Sequence, residues 1–378
     1  DKALEIEPKN VLALSNKGNT LSNFQKPDDS MFYFNLALGI DPNDMFSLNR
    51  KGIAYTRLEK YDEAIVWYDK ALIIDPNDIP SLHNKANALV DLGKNDEAIV
   101  CLDKALEIDP KYVHSINSKA LALRNLGKND EAIVWYDKAL EIDPKYESAW
   151  NNKANSLGDL GKPEEAIVCY DKALEIKPKY VFALNGKGIV LKDIGKPEEA
   201  IVCYDKALEI DPKYESAWNN KGLALIHLGK PEEAIVCLDK ALEIDPKYKI
   251  GINNKGFALM ELEKYDEAIV CLDKALEIDP KYVYALHNKG LSLHNLGKND
   301  EAIVCLDKAL EIDPNHVSTL NYKGVALMDL KKYDEAIVWY DKALIIDPKY
   351  VYALHNKGLA LANLEKFEEA IVWYDRVL

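Results

Sequence analysis

Six cysteines, seven histidines and many paired acidic residues are the groups in this 378-residue sequence with reactive or metal-binding chemistry. Thiolates and imidazoles hold zinc when they alternate at short spacing, and a carboxylate beside a histidine can move a proton. Here Cys101, Cys169, Cys203, Cys237, Cys271 and Cys305 recur only at multiples of 34 residues. His83, His114, His227, His287, His294, His316 and His355 stand at no ligand spacing to them and in no H-E-x-x-H run. Glu232 with Glu233 and Asp239 with Lys240 return in nearly every copy of the same segment, as surface charges of a helix do. No phosphate-cradling loop, dinucleotide fingerprint or G-x-S-x-G elbow occurs. The sequence therefore points to no catalytic residue, no cofactor site and no metal ligand, and reads as that of a non-enzyme.

What it offers instead is recognition by carboxamides. An asparagine side chain both donates and accepts hydrogen bonds, so a row of them can hold a peptide backbone without reading its side chains. One column contains Asn16, Asn84, Asn152, Asn220, Asn254, Asn288 and Asn356, interrupted by Arg50, Ser118, Gly186 and Tyr322. The residue before it is Asn151, Asn219 or Asn253 in three units, and Leu223 lies about one turn further on. Asn84, Asn151, Asn152, Asn219, Asn220, Leu223, Asn253, Asn254, Asn288 and Asn356 form the candidate peptide-binding groove.

These columns exist because the chain repeats itself. Pro8, Pro42, Pro76, Pro110, Pro144, Pro178, Pro212, Pro246, Pro280, Pro314 and Pro348 recur every 34 residues, the mark of a stacked array. The frame gives a single array over 1–378: the tail of a unit at 1–10, ten full units over 11–350, and a shortened eleventh at 351–378. In the unit Glu215 to Tyr248 the pattern predicts a helix from about Ser216 to Leu228, stopped by Gly229, and a second from Pro231 to just before Pro246. At 100° per residue, Trp218, Lys221, Gly222, Leu225 and Leu228 share one side of the first helix. Ala234, Ile235, Leu238, Ala241 and Leu242 share one side of the second, so the two helices pack on each other and on their neighbours. The opposite side of the first helix carries Ser216, Asn219, Asn220, Leu223 and His227. The fold class is all-α, an α-solenoid, expected weakest in the first full unit, where Ser30 replaces an alanine and Gly39 sits inside a helix.

Apolar residues make up 48% of the chain, enough for a core, and the net charge is −15. Such a charge disfavours nucleic acid and anionic membranes as partners. No apolar run is long enough to span a bilayer, and DKALEIEPKN lacks the pattern of a signal peptide. Cysteines one helix spacing apart, about 8–10 Å, are too distant for disulfides. Free thiols fit a reducing compartment, and the expected location is cytoplasmic.

Trp218, Lys221, Gly222, Leu225, Ala234, Leu238 and Pro246 occupy the places of the pattern W-x2-L-G-x2-Y, A-x3-F, P. Tyr55 supplies the aromatic of the Leu225 place, and Tyr68, Tyr136, Tyr170, Tyr204, Tyr340 and Tyr374 that of the Leu238 place. Over its whole length the chain resembles the tetratricopeptide repeat family. Its departure is lysine where leucine is usual, from Lys17 to Lys357 in every unit. A lysine there lays its stem on the core and its ammonium in water; the alternative is a line of ammonium groups for an acidic partner.

The resemblance implies a right-handed superhelix whose first helices line a concave groove for an extended peptide or a partner's helix. The asparagine row is similar to the ladder in the tetratricopeptide arm of the O-linked N-acetylglucosamine transferase. The expected function is a non-enzymatic scaffold for proteins or peptides. The alternative is the substrate-recruiting arm of a larger enzyme, such as a glycosyltransferase, with its catalytic domain outside this sequence. Basic residues at the places of the family's chaperone-tail clamp are missing. Irregular aromatics in the Ser216 column would anchor a ligand, and acids at Asp91, Asp159, Asp193, Glu261 and Asp329 favour one with basic residues. Val236 and its equivalents oppose the buried side of the second helix, against an adjoining helix or as a convex seam for lateral self-association.

Overall fold

The computed structural model describes residues 2–24 and 26–377. Among them are 23 α-helices and no strand. The chain divides into two compact units, Asp1–Val190 and Leu191–Leu378. Within each, helices follow one another in pairs of 13 and 14 residues, as Met45–Arg57 with Tyr61–Ile74 and Glu215–His227 with Pro231–Ile244.

The ends of these helices follow from local chemistry. Gly229 adopts φ 67° and donates to the carbonyl of Ile226 at 2.9 Å, while Lys230 reaches back to that of Leu225. A left-handed residue just past a helix closes its free carbonyls in this way, and glycine adopts it without strain. Glu59, Glu263, Lys331 and Glu365 take the same conformation with a side chain. Pro231 opens the second helix, where a missing N–H is harmless, and Glu232 and Glu233 face the helix dipole. Asp245 then accepts from the backbone N–H of Lys247 at 2.9 Å and turns the chain into the next unit.

Packing depends on small residues where helices meet. Ala234 and Ala241 are fully buried. A Cβ on Gly222 would lie 2.9 Å from Leu238 Cγ, and at Gly324 it would meet the Tyr340 ring more closely still. One core cluster joins Leu225, Ile226, Ala234, Cys237 and Leu238 with Ala258 of the following unit and Ile201 of the preceding one. No unit closes its core alone. Cys101, Cys169, Cys237, Cys271 and Cys305 are thiols without a disulfide, buried or half-buried.

The lysine column is not left in water. Lys221 Nζ lies 2.5 Å from Asp205 Oδ1, on the second helix of the unit before. The same pair recurs 16 residues apart at Lys85–Asp69, Lys153–Asp137, Lys187–Asp171, Lys255–Asp239 and Lys289–Asp273, between 2.5 and 2.6 Å. It recurs again at Lys119–Asp103, Lys323–Asp307 and Lys357–Asp341. Where the second helix of the lysine's own unit carries a tryptophan, the ring also takes lysines, Lys323 at 3.5 Å and Lys342 at 3.7 Å from Trp339. The row of ammonium groups is thus answered within the chain, and Asp239 pairs with Lys255 rather than with its neighbour Lys240. Lys51 differs, because its partner is the Asn35 carboxamide at 2.5 Å. Burial, with Lys70 nearby, lowers its pKa to about 8.

Candidate peptide-binding wall

The two asparagine columns meet across neighbouring first helices. Asn254 Nδ2 donates to Asn219 Oδ1 at 2.8 Å, Asn288 to Asn253 at 3.0 Å, and Asn356 to Asn321 at 3.1 Å. Asn84 to Asn49 and Asn152 to Asn117 repeat the bond at 3.3 Å. Each spans 35 residues, so a residue of one column bonds the other column's residue in the preceding unit. Within a helix, Asn151 donates to Asn152, Asn219 to Asn220 and Asn253 to Asn254. The result is a continuous wire from Asn288 through Asn253, Asn254 and Asn219 to Asn220.

This wiring changes what the candidate residues present. Asn219 is 2% exposed, and Asn151, Asn253 and Asn254 are also buried. Asn84, Asn152, Asn220, Asn288 and Asn356 are half-buried and form the outer row. Leu223 is half-buried too, packed against the cluster of Leu225 and Ala258. The helical wheel places Asn219 away from its own second helix, but stacked first helices cover each other's flanks. Only a narrow strip of each remains open. Asn49, Asn117 and Asn321 belong to the same network as acceptors; the spacing of 35 between the two columns was the signal for them.

A carboxamide has two N–H groups and two lone pairs for partners. Asn254 uses one N–H on Asn219 and one lone pair on Asn253, which leaves one of each. The wall therefore keeps hydrogen-bonding capacity while its side chains are held in orientation by each other. At one interruption the wiring fails: Gly186 stands where an asparagine would bond Asn151, and Asn151 Oδ1 is buried without a hydrogen-bond partner.

At two interruptions histidine enters. His83 and His287 occupy the Asn219 column, and their counterparts 35 residues on are Ser118 and Tyr322 instead of asparagine. His287 Nδ1 lies 2.9 Å from Thr319 Oγ1, and its ring meets those of His316 at 5.3 Å and Tyr322 at 5.6 Å. Burial lowers its pKa to about 3, so it is neutral at pH 7, and that of His83 to about 4.

Part of the acidic column is also answered internally, Asp159 by Arg124 at 2.8 Å and Asp193 by Lys192 at 2.7 Å. The valine column is open, with Val236 57% exposed. Among the described residues no group of three or more His, Cys, Asp or Glu is placed to hold a metal ion, and no helix is long and apolar enough to cross a membrane.

Tetratricopeptide repeat profiles match the chain almost from end to end. One matches residues 46–78, 79–112, 148–180, 181–214, 216–248, 283–316 and 317–350. Others match 12–44, 101–134 and 339–372, and a TPR repeat profile matches 120–161 and 256–297. No curated protein matches in sequence. Among solved structures, a tetratricopeptide repeat protein from Parabacteroides merdae is 18% identical with a TM-score of 0.56, over 66% of this chain and 98% of its own. Yeast Tom70 is 20% identical with a TM-score of 0.51, over 98% and 92%. The Cut9-Hcn1 hetero-tetramer of the APC/C gives 15% and 0.59, over 95% and 91%. At these identities the likeness concerns the fold.

Proposed function

Because this chain belongs to the tetratricopeptide repeat family, we propose that it is a non-enzymatic protein-interaction scaffold that holds an extended peptide along its asparagine wall. The observation that carries this reading is the wiring of the carboxamides. Asn254 is oriented by its neighbours on both sides yet keeps an N–H and a lone pair, which is what a peptide backbone needs on both its C=O and its N–H. Pre-oriented groups lose little rotamer entropy on binding, so many weak contacts add along a long ligand. The half-buried outer row, Asn84, Asn152, Asn220, Asn288 and Asn356 with the buried Asn151, Asn219, Asn253 and Asn254 behind it, makes these contacts, and Leu223 supplies apolar floor.

The test is a peptide-display selection on the intact chain, followed by affinity measurement with the triple variant Asn84→Ala, Asn288→Ala, Asn356→Ala. Selected peptides should weaken at least tenfold on the variant, and N-methylation of their backbone should weaken them on the parent chain. Unchanged affinity in a variant that melts as the parent does would remove the asparagine wall from the function.

A further inference from the structure

The asparagine wall changes character in the unit Leu191–Leu378 where Tyr322 and His287 replace one of its rungs. From there rings continue without a gap: Tyr282 meets Tyr284 at 5.8 Å, Tyr284 meets His316 at 5.7 Å, His316 meets His287 at 5.3 Å, and His287 meets Tyr322 at 5.6 Å. Tyr350 and Tyr352 lie 5.6 Å apart on the next first helix, and Tyr350 Oη is 3.2 Å from Ser318 Oγ. His287 is buried, while Tyr284 and Tyr352 are 58% and 67% exposed and rise on either side of half-buried Tyr322. Large rings held open to solvent by a rigid helical base are anchors for a ligand rather than core.

The chain itself shows what such rings hold at this wall. Arg50, in the asparagine column, lies over the Phe46 ring at 5.1 Å; Lys177 covers Tyr180 at 4.7 Å, and Lys249 covers Tyr282 at 5.2 Å. Each is a cation over the face of an aromatic residue at the start of a first helix. Among the described residues no lysine or arginine covers Tyr284, Tyr322, Tyr350 or Tyr352. The two histidines of the cluster are neutral at pH 7, since burial lowers both pKa values, and present no charge to repel a cation. The carboxylate of Asp313 acts on His316 from beside the cluster, and the chain carries a net charge of −15.

We propose that Tyr284, Tyr322 and Tyr352 form a subsite for the arginine or lysine side chain of an extended peptide whose backbone runs on the asparagine wall. The subsite rests on the groove reading above and adds selectivity to it: the carboxamides hold any backbone, and the rings select a cation at one position.

Calorimetric titration of the intact chain with acetylated, amidated Gly-Ser peptides of equal length tests this, with a central arginine, its neutral isostere citrulline, or proline. The arginine peptide should bind about tenfold more tightly than the citrulline peptide. The variant Tyr284→Leu, Tyr352→Leu should erase that difference, whereas Tyr284→Phe, Tyr352→Phe, which keeps the ring faces, should retain it. Both variants replace exposed side chains, and their thermal unfolding reports any loss of fold. Equal binding of the arginine and citrulline peptides, or a preference for proline, overturns the subsite and leaves the asparagine wall standing. Failure of all three peptides to bind overturns both.

Discussion

Each first helix carries two columns that face different ways, and they follow different rules. The lysine column, from Lys51 to Lys357, is unbroken, and nine of its members meet an aspartate 16 residues upstream. The asparagine column is interrupted at Arg50, Ser118, Gly186 and Tyr322. The lysine seam joins one unit to the second helix of the unit before, so every copy needs the same contact. The asparagine wall joins neighbouring first helices and also borders solvent, so it can tolerate a lost rung or exchange it for rings. Regular recurrence marks what builds the stack, and interruption marks where one surface differs from the next.

The largest expected effect strikes both columns together. Gly324 directly follows Tyr322 of the wall and Lys323 of the seam, and a Cβ there would run into the Tyr340 ring. Gly324→Leu should therefore cost about 3 kcal/mol by overpacking, seen as faster hydrogen exchange in Val317–Asp329. Next is the wall. Asn219→Leu removes the acceptor of Asn254 and a donor to Asn220 in a buried place, and should cost about 2 kcal/mol in urea unfolding. Lys221→Met breaks a pair whose aspartate is half exposed, and should cost less, about 0.5 kcal/mol. The reverse order would mean that the seam, not the wall, carries the specific contacts.

The seam can also be repaired. Lys51 has Asn35 where the other units have aspartate, and its pKa falls from 10.5 to about 8. Between those values the unfolded chain holds a proton that the folded chain has released, so stability should rise with pH through that window. Asn35→Asp should flatten this rise and stabilise the protein near pH 7 by about 1 kcal/mol, a small figure because the side chain at position 35 is exposed although Lys51 is buried. An effect as small as that of Lys221→Met lies outside both columns. Glu263→Gly relieves a left-handed residue at φ 57°, and should raise stability by about 0.5 kcal/mol once the added freedom of the unfolded chain is subtracted.

The repeat, its two helices and their ends were legible in the sequence, because Gly229, Pro231 and Pro246 act through local backbone chemistry that needs no neighbour. The helix Glu215–His227 differs from the expected span by one residue at each end. The partners of the lysines were not legible from one unit. A helical wheel sees a single helix, and Lys221 finds Asp205 only once two units are stacked. The same blindness placed Asn219 on an open face, although stacking buries it against Asn254. Both contacts were nevertheless written in the spacing, as aspartate 16 residues before lysine and asparagine 35 residues before asparagine. The lone exception, Asn35 before Lys51, is a change that only the pairing makes meaningful.

The most direct test of the asparagine wall is a crystal structure of the intact chain with a peptide obtained by selection. The wall predicts an extended peptide whose backbone N–H and C=O groups lie within hydrogen-bonding distance of the carboxamides of Asn254, Asn288 and Asn356. A peptide seated instead on the second helices, along the Val236 column, with these carboxamides bonded only to one another, would contradict it.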